Sequence, residues 1–453
     1  MIVKKIDIEN YKGFEKQEIT FNDNLNVFIG ANASGKTSIL EAVAKCLYRL
    51  VGHGEQTRLL PKPHYEISYG KDFYKITLHI ENFEKKVIPT DISVELDFYS
   101  SPSFLNHYYQ GKGKGNIHKF IDINSPTIPI IKYYHTDQRK FERDKEEHIH
   151  PRMRDNFRTP QRKVWANISD DRKSYTQFVD WFFEYENEEL RQQKNLGDFN
   201  FENSRLKYIR DAIEQTLYKI YNKKYILKSY NKHVSLVSFS YPEPKNFIRG
   251  LSLKLKNDNT VPEEDLEAKS DGEKAIITLV ADIAYNLALA HDFESEETYL
   301  DAPGIVLIDE IEQHLHPNWQ RKIIPILTSV FPKIQFFITT HSPQVISSVN
   351  SEHVFLCEDF VVEKVHLRTK GVDSNALLTF LFNATERPKE YIDLINKFDE
   401  LVENEADTSE LEHIIEKVSE LEEEDTGSNI SGLVSDLRIQ LSAYKFDLEH
   451  EMD

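Results

Sequence analysis

The run Asn26-Val27-Phe28-Ile29-Gly30-Ala31-Asn32-Ala33-Ser34-Gly35-Lys36-Thr37-Ser38-Ile39-Leu40 decides the fold. Its apolar start reads as a buried strand, Gly30 to Thr37 matches GxxxxGK[ST], and TSILEAVAKCLYRL places apolar residues at helical spacing. Strand, glycine-rich loop and helix in that order suit phosphate binding. Glycines let backbone N–H groups turn toward phosphate oxygens, and the helix N-terminus adds positive potential. Lys36 then neutralises β- and γ-phosphate oxygens, the Thr37 hydroxyl serves Mg2+, and Ser38 completes an ATP-binding set made of Gly30, Ala31, Asn32, Ala33, Ser34, Gly35, Lys36, Thr37 and Ser38.

Downstream, Gly304-Ile305-Val306-Leu307-Ile308-Asp309-Glu310 is an apolar strand that ends in adjacent carboxylates. Asp309 at a strand end suits a hydrated magnesium ion, and Glu310 suits polarising the water that attacks the γ-phosphate. The same sequence without a phosphate loop would read as a solvated loop start. Around these segments, IVKKIDIENY at 2–11, QEITF at 17–21, residues 74–98, IPIIKYY from Ile128 to Tyr134, VSLVSF at 234–239 and LSLKLK at 251–256 carry strand patterns. Leu206, Ile209, Ile213, Leu217 and Ile220 follow helical spacing.

Four motifs recur in order: GANASGKT at 30–37, KSDGEK at 269–274, LIDEIEQHLHP at 307–317 and TTHSPQ at 339–344. The set resembles the RecF/SMC-related branch of the ABC-type ATPases. The resemblance implies an α/β fold, an ABC-type P-loop ATPase head with a helical insertion and a C-terminal helical extension. It also implies that Ser270, Gly272 and Glu273 form a signature loop that reaches ATP held by a second copy, and that His341 is the switch histidine beside the γ-phosphate. ATP and Mg2+ are the implied cofactors, and an ATP-sandwiched homodimer is the implied assembly. Lys269 stands where transporters of the wider family usually carry leucine. Gln138, after the strand ending at Tyr134, is the candidate magnesium-contacting glutamine, with Asp137 and Arg139 as competitors. His314 and His316 lack further ligands nearby and belong, on the resemblance, to the loop beside Glu310 that touches the partner copy.

The chain has 453 residues, more than one core usually organises. The motifs divide it into 1–138 and 229–372 as the two halves of the ATPase head, 139–228 as the helical insertion, and 373–453 as an acidic helical region for oligomerisation or partner docking. Net charge is −19, and Leu401 to Asp453 carries 16 acidic against 3 basic residues, so the acidity belongs mainly to the tail. Within that tail, Tyr391, Leu394, Ile395, Phe398, Leu401 and Val402, then Leu411, Ile414, Ile415, Val418 and Leu421, mark two amphipathic helices. Periodicity alone leaves open whether their stripes pack within the chain. Two cysteines, Cys46 and Cys357, give no disulfide framework, and neither a signal peptide nor a membrane-spanning run is legible, so a soluble cytoplasmic protein is expected.

FVDWFFEYENEELRQQKN at 178–195 and GVDSNALLTFLFNATERP at 371–388 extend the resemblance to the ATPase subunits of Septu antiphage defence systems, the PtuA family, also found with retrons. That likeness implies ATP-dependent gating of a separately encoded, PtuB-like HNH-type nuclease that acts on DNA or RNA. His148 and His150 lie in a charged stretch and do not make an HNH constellation of the chain's own. A RecF-like DNA-repair ATPase without a nuclease is the alternative, and a module that holds ATP without turnover is a second. Lys219, Lys223, Lys224, Lys228 and Lys232 alternate with Tyr221, Tyr225 and Tyr230, which suits nucleic-acid phosphates and base stacking, or else solvated lysines with tyrosines in the core.

Overall fold

Alternating residues of Ile2–Tyr11 form β1, whose buried positions Ile6 and Ile8 share one face, and the chain turns back through β2 (Phe14–Thr20). Then come β3 (Leu25–Ile29), α1 (Lys36–Leu50), β4 (Phe73–Glu81), β5 (Asp91–Tyr99) and β6 (Ile130–Tyr134). The computed structural model describes residues 1–50, 73–81, 91–99, 129–135, 175–233, 247–256, 263–290, 303–313, 315–382, 389–403, 408–424 and 431–450. Gln138, His314, His148, His150 and the expected VSLVSF strand lie outside these residues. The described chain divides into two units, Met1–Leu377 and Leu378–Asp453.

In the first unit β2-β1-β4-β5 is an antiparallel sheet. The insertion contributes α2 (Tyr175–Leu196) and α3 (Ser204–Tyr221). Asn203 caps α3 through its side-chain oxygen, which accepts from the Arg205 and Leu206 N–H groups at 3.1 and 3.2 Å. Leu206, Ile209, Ile213, Leu217 and Ile220 are all buried, as their spacing predicts. The helix stops where Asn222 takes a left-handed backbone at φ 55, a conformation asparagine tolerates. After it β7 (Tyr225–His233) pairs with β8 (Phe247–Leu255), which pairs with β9 (Glu264–Asp265). Strand β7 thus starts inside the stretch expected as helical, because burial of Tyr225 and Leu227 alternates with exposure of Lys224 and Lys228.

The next elements are α4 (Asp271–Ala290), β10 (Gly304–Ile308), α5 (Pro317–Val330), β11 (Ile334–Thr339), the single turn α6 (Pro343–Ile346), β12 (Val354–Glu358) and β13 (Val361–Lys364). The central sheet runs β13-β12-β3-β11-β10-β6, parallel except for β13. Strands β3, β6, β10 and β11 are buried at every residue, the pattern of parallel strands covered on both faces. Register sets Ile338 beside Val27 on one side and Ile308 on the other, with Ile308 beside Tyr134. The C-terminal ends of β3, β11, β10 and β6 therefore lie side by side, the edge at which parallel α/β sheets bind ligands.

Helix α7 (Ser374–Phe382) crosses the boundary between the units. The second unit holds α8 (Lys389–Glu403), α9 (Thr408–Glu424) and α10 (Ser431–His450). Their apolar stripes meet in one core of Tyr391, Phe398, Leu411, Ile414, Ile415, Val418, Val434, Leu437 and Leu441. The packing that periodicity left open is thus intramolecular, and α10 supplies its third side. Among the described residues no helix is long and apolar enough to cross a membrane.

Candidate nucleotide site

The phosphate loop leaves β3 at Gly30, whose φ of 145° belongs to glycine and whose Cβ, were there one, would strike the Cys357 carbonyl oxygen. Gly35, at φ 103°, lies against aromatic rings: a Cβ there would come within 2.8 Å of Phe14 and 2.9 Å of Phe360. Ala33 is left-handed without being glycine, a backbone cost characteristic of functional loops. Ala31, Asn32 and Ala33 form an exposed rim, while Ser34 and Lys36 are buried and Thr37 and Ser38 half-buried at the start of α1.

The Lys36 ammonium lies inside the loop. It donates to the Gly30 and Ala31 carbonyls at 3.0 and 2.7 Å and to Ser34 Oγ at 3.4 Å. Burial lowers its pKa from the ordinary lysine value, against the pull of Asp309, Glu312 and Glu310. Across the edge, Asp309 is 1% exposed and held from several strands. Its N–H donates to the Tyr134 carbonyl at 2.9 Å, and its Oδ1 accepts from Thr339 at 2.6 Å and from Thr37 at 3.0 Å. Glu310 follows in a left-handed conformation at φ 47, with its N–H donating to Thr339 Oγ1 at 2.8 Å. One threonine hydroxyl thereby fixes both carboxylate residues.

His341 is half-buried, and its N–H donates to Glu312 Oε1 at 2.6 Å. Burial lowers its pKa and the Lys36 charge lowers it further, against Glu310, Asp309 and a hydrogen bond to the Gly30 backbone. The imidazole is therefore neutral at pH 7. Phosphate loop, Asp309, Glu310 and His341 form one neighbourhood at the strand edge. Sequence reasoning missed Thr339, Glu312 and Tyr133; the doubled threonine before His341 is the signal that could have found the first.

Thr37 Oγ1 and the Asp309 carboxylate are hard oxygen donors 3.0 to 3.2 Å apart, and such a pair with water suits Mg2+, which keeps part of its hydration. The Tyr133 hydroxyl is buried without a hydrogen-bond partner among the described residues, and burial and the charges of Asp309 and Glu41 push it well above the ordinary tyrosine pKa. An orphaned donor within reach of the Asp309 charge fits a hydrated ion. Among the described residues no group of three or more His, Cys, Asp or Glu side chains is arranged to hold a metal, and His316 instead caps α5, its Nδ1 accepting from the Asn318 N–H at 3.3 Å.

The signature turn is built differently. Ser270 is exposed, precedes α4 and exchanges bonds with Glu273 in a capping box: Glu273 Oε2 accepts from the Ser270 N–H at 2.8 Å and from its hydroxyl at 2.7 Å. Gly272 is buried. The other Glu273 oxygen accepts from the Tyr221 hydroxyl. Lys219, Lys223, Lys224 and Lys228 are exposed, and the side chain of Lys232 lies outside the described residues. The tyrosines between them are engaged in the chain: Tyr225 is buried and Tyr230 donates to Asp265. Tyr221, at the end of α3, is half-buried, as is Tyr230, which lies on the face of β7 that carries Lys228.

A buried parallel sheet with a phosphate loop and an Asp-Glu strand end at one edge defines a P-loop ATPase. Residues 25–347 match the family model described as "AAA domain, putative AbiEii toxin, Type IV TA system", and the chain belongs to that family. It is 28% identical to the retron Ec83 probable ATPase of Escherichia coli, over 90% of this chain and 81% of the relative. It is 25% identical to the Septu protein PtuA of Bacillus mycoides (strain KBAB4), over 93% of this chain but only 51% of that protein. An SMC head bound to the C-terminal winged-helix domain of ScpA aligns over 81% of this chain and 98% of its own, at 15% identity and a TM-score of 0.43. The chain is an ATPase of that family, similar to the retron ATPases and to PtuA.

Proposed function

We propose that the chain hydrolyses ATP at this edge as half of a head-to-head pair, and that its nucleotide state gates a separately encoded HNH-type nuclease in antiphage defence. The observation that carries the chemistry is the junction at Asp309, where Thr37 of the phosphate loop and Thr339 of β11 meet one buried carboxylate. Thr37 and Asp309 would hold magnesium, which neutralises charge on the bound phosphates. Lys36 exchanges the carbonyls of its own loop for β- and γ-phosphate oxygens. Glu310, whose backbone is fixed by Thr339, orients and polarises the attacking water, and neutral His341 donates a hydrogen bond to the γ-phosphate. Gln138 stays the candidate magnesium-contacting glutamine.

Ser270 and Gly272 of the second copy, with the positive end of α4, complete the site. Support comes from the exposure of Ser270 and from the lack of any bond between it and the phosphate loop among the described residues. The nuclease partner and the defence role rest on the likeness to the retron and Septu proteins, and the acidic three-helix unit offers a surface for a basic partner. Lys219, Lys223, Lys224, Lys228 and Lys232 are the proposed contacts for DNA or RNA phosphates.

Glu310→Gln tests the chemistry. Turnover is expected to fall about 10³-fold while ATP is retained and ATP-dependent dimers accumulate in sedimentation, since a general base contributes on that order. Full turnover in the variant would overturn the assignment. For the partner, co-expression with the neighbouring nuclease gene should give one co-eluting complex, and two proteins that never co-elute would remove the gating claim.

A further inference from the structure

Tyr221 closes the last turn of the insertion helix α3, and three elements converge on it. Its hydroxyl donates to Glu273 Oε1 in the signature turn. Its ring meets Trp319 of α5 edge-on with centroids 6.4 Å apart, and Tyr225 of β7 at 5.5 Å. The Lys269 ammonium, paired with Glu264, lies 5.0 Å from the ring centre. Lys322 of α5 adds a bond from its ammonium to the Ile220 carbonyl at 3.3 Å. The Glu273 carboxylate therefore has both oxygens engaged, one by Ser270 and one by the insertion.

A carboxylate beside the approach of a triphosphate is an electrostatic problem. Burial raises the pKa of Glu273, and the bonds from Tyr221 and Ser270 outweigh it, so the group is ionised at pH 7. Ser270 must release its hydroxyl from this anion before it can donate to a phosphate of another copy. A carboxylate already receiving a phenol donor, with an ammonium nearby, holds the serine less tightly and repels phosphate less.

We propose that Tyr221 is a positioning residue for the signature serine: through Glu273 it makes engagement of the second copy's ATP depend on where the insertion helix sits. The proposal rests on the head-to-head reading above and deepens it. It gives the insertion a task, because the exposed lysines 219, 223 and 224 flank the same helix end, and a polyanion bound there acts on the signature turn through one hydroxyl.

Tyr221→Phe keeps the ring against Trp319, Tyr225 and Lys269 and removes only the donor. In a Glu310→Gln background, sedimentation with ATP should show the dimer dissociation constant rising about tenfold, the usual effect of losing one hydrogen bond to a charged acceptor. ATP affinity of the monomer at low protein concentration should stay within about twofold, since the phosphate loop is untouched. Repeated on Glu273→Gln, the substitution should have no further effect, because the hydroxyl acts through that carboxylate. An unchanged dimer constant overturns the proposal, as does an equal effect with and without Glu273, which would mark a packing role. Ser270→Ala separates the two levels: if it associates normally with ATP, the head-to-head reading itself fails; if it weakens association while Tyr221→Phe does not, only the role of Tyr221 fails.

Discussion

At the strand edge Asp309 is 1% exposed and takes hydroxyls from Thr37 and Thr339, whereas at the signature turn Ser270 is exposed and its hydroxyl goes to Glu273 of the same turn. Both places hold a carboxylate and a hydroxyl at hydrogen-bond distance. At the edge the carboxylate is fixed by residues up to 272 positions away in sequence, so folding alone builds it. At the turn the partners are three positions apart, and a distant restraint comes from Tyr221 of the insertion. On the proposed function, a single chain completes its nucleotide cradle and leaves Ser270 for a second copy.

The largest effect that could break this contrast belongs to Lys36. Lys36→Ala should lower turnover at least about 10³-fold at any protein concentration, since the ammonium is the charge that the edge supplies to the phosphates. Ser270→Ala should instead lower it in a way that high protein concentration partly restores. Equal losses at all concentrations, read from turnover against protein concentration, would erase the distinction.

Glu41 of α1 sharpens the claim that the edge is built in advance. Its carboxylate meets Lys12 at 2.6 Å and His135 at 4.0 Å, joining the ends of β1 and β6 to the helix that follows the phosphate loop. Burial opposes its charge, but His135 and Lys12 outweigh burial and hold the carboxyl at about 2, against an ordinary value of 4.5. A depressed carboxyl pKa contributes stability that is present above the unfolded value and is lost as pH falls through the folded one. Glu41→Gln should therefore cost about 2 kcal/mol in urea unfolding at pH 7, with the gap closing between roughly pH 4.5 and pH 2. A gap independent of pH would show that the contact acts by packing.

The smallest expected effect concerns the lysines on the insertion side. Replacing Lys219, Lys223, Lys224 and Lys228 by alanine should weaken oligonucleotide binding by about tenfold at moderate salt and flatten its salt dependence, because each phosphate contact releases counterion. ATP binding should be unaffected. An unchanged salt slope would return these lysines to the role of a solvated face.

The candidate nucleotide edge is legible in the sequence because phosphate chemistry constrains consecutive residues: Gly30, Gly35, Lys36 and Thr37 share one loop, and Asp309 and Glu310 directly follow one strand. The residues that hold those groups in place were not legible. Thr339 and Glu312 act through strand register and through a turn, and Tyr133 through the face of β6 that it occupies, none of which leaves a local pattern. The insertion shows the same limit. Helical spacing identified α3 to its last turn, but only the fold brings Tyr221 to Glu273, 52 positions away. In the second unit the stripes of α8 and α9 were plain, and their closure by α10 depended on tertiary packing that periodicity does not encode.

On the proposed function, a working site is assembled from the edge of one copy and the signature turn of another. Mixing Lys36→Ala with Ser270→Ala protein tests it most directly, because in a head-to-head heterodimer one site loses both groups and the other regains both. At low protein concentration each variant alone should be nearly inactive, and an equal mixture should recover up to about a quarter of wild-type turnover, half the pairs being mixed and half their sites intact. A mixture no more active than the sum of its parts would contradict the account.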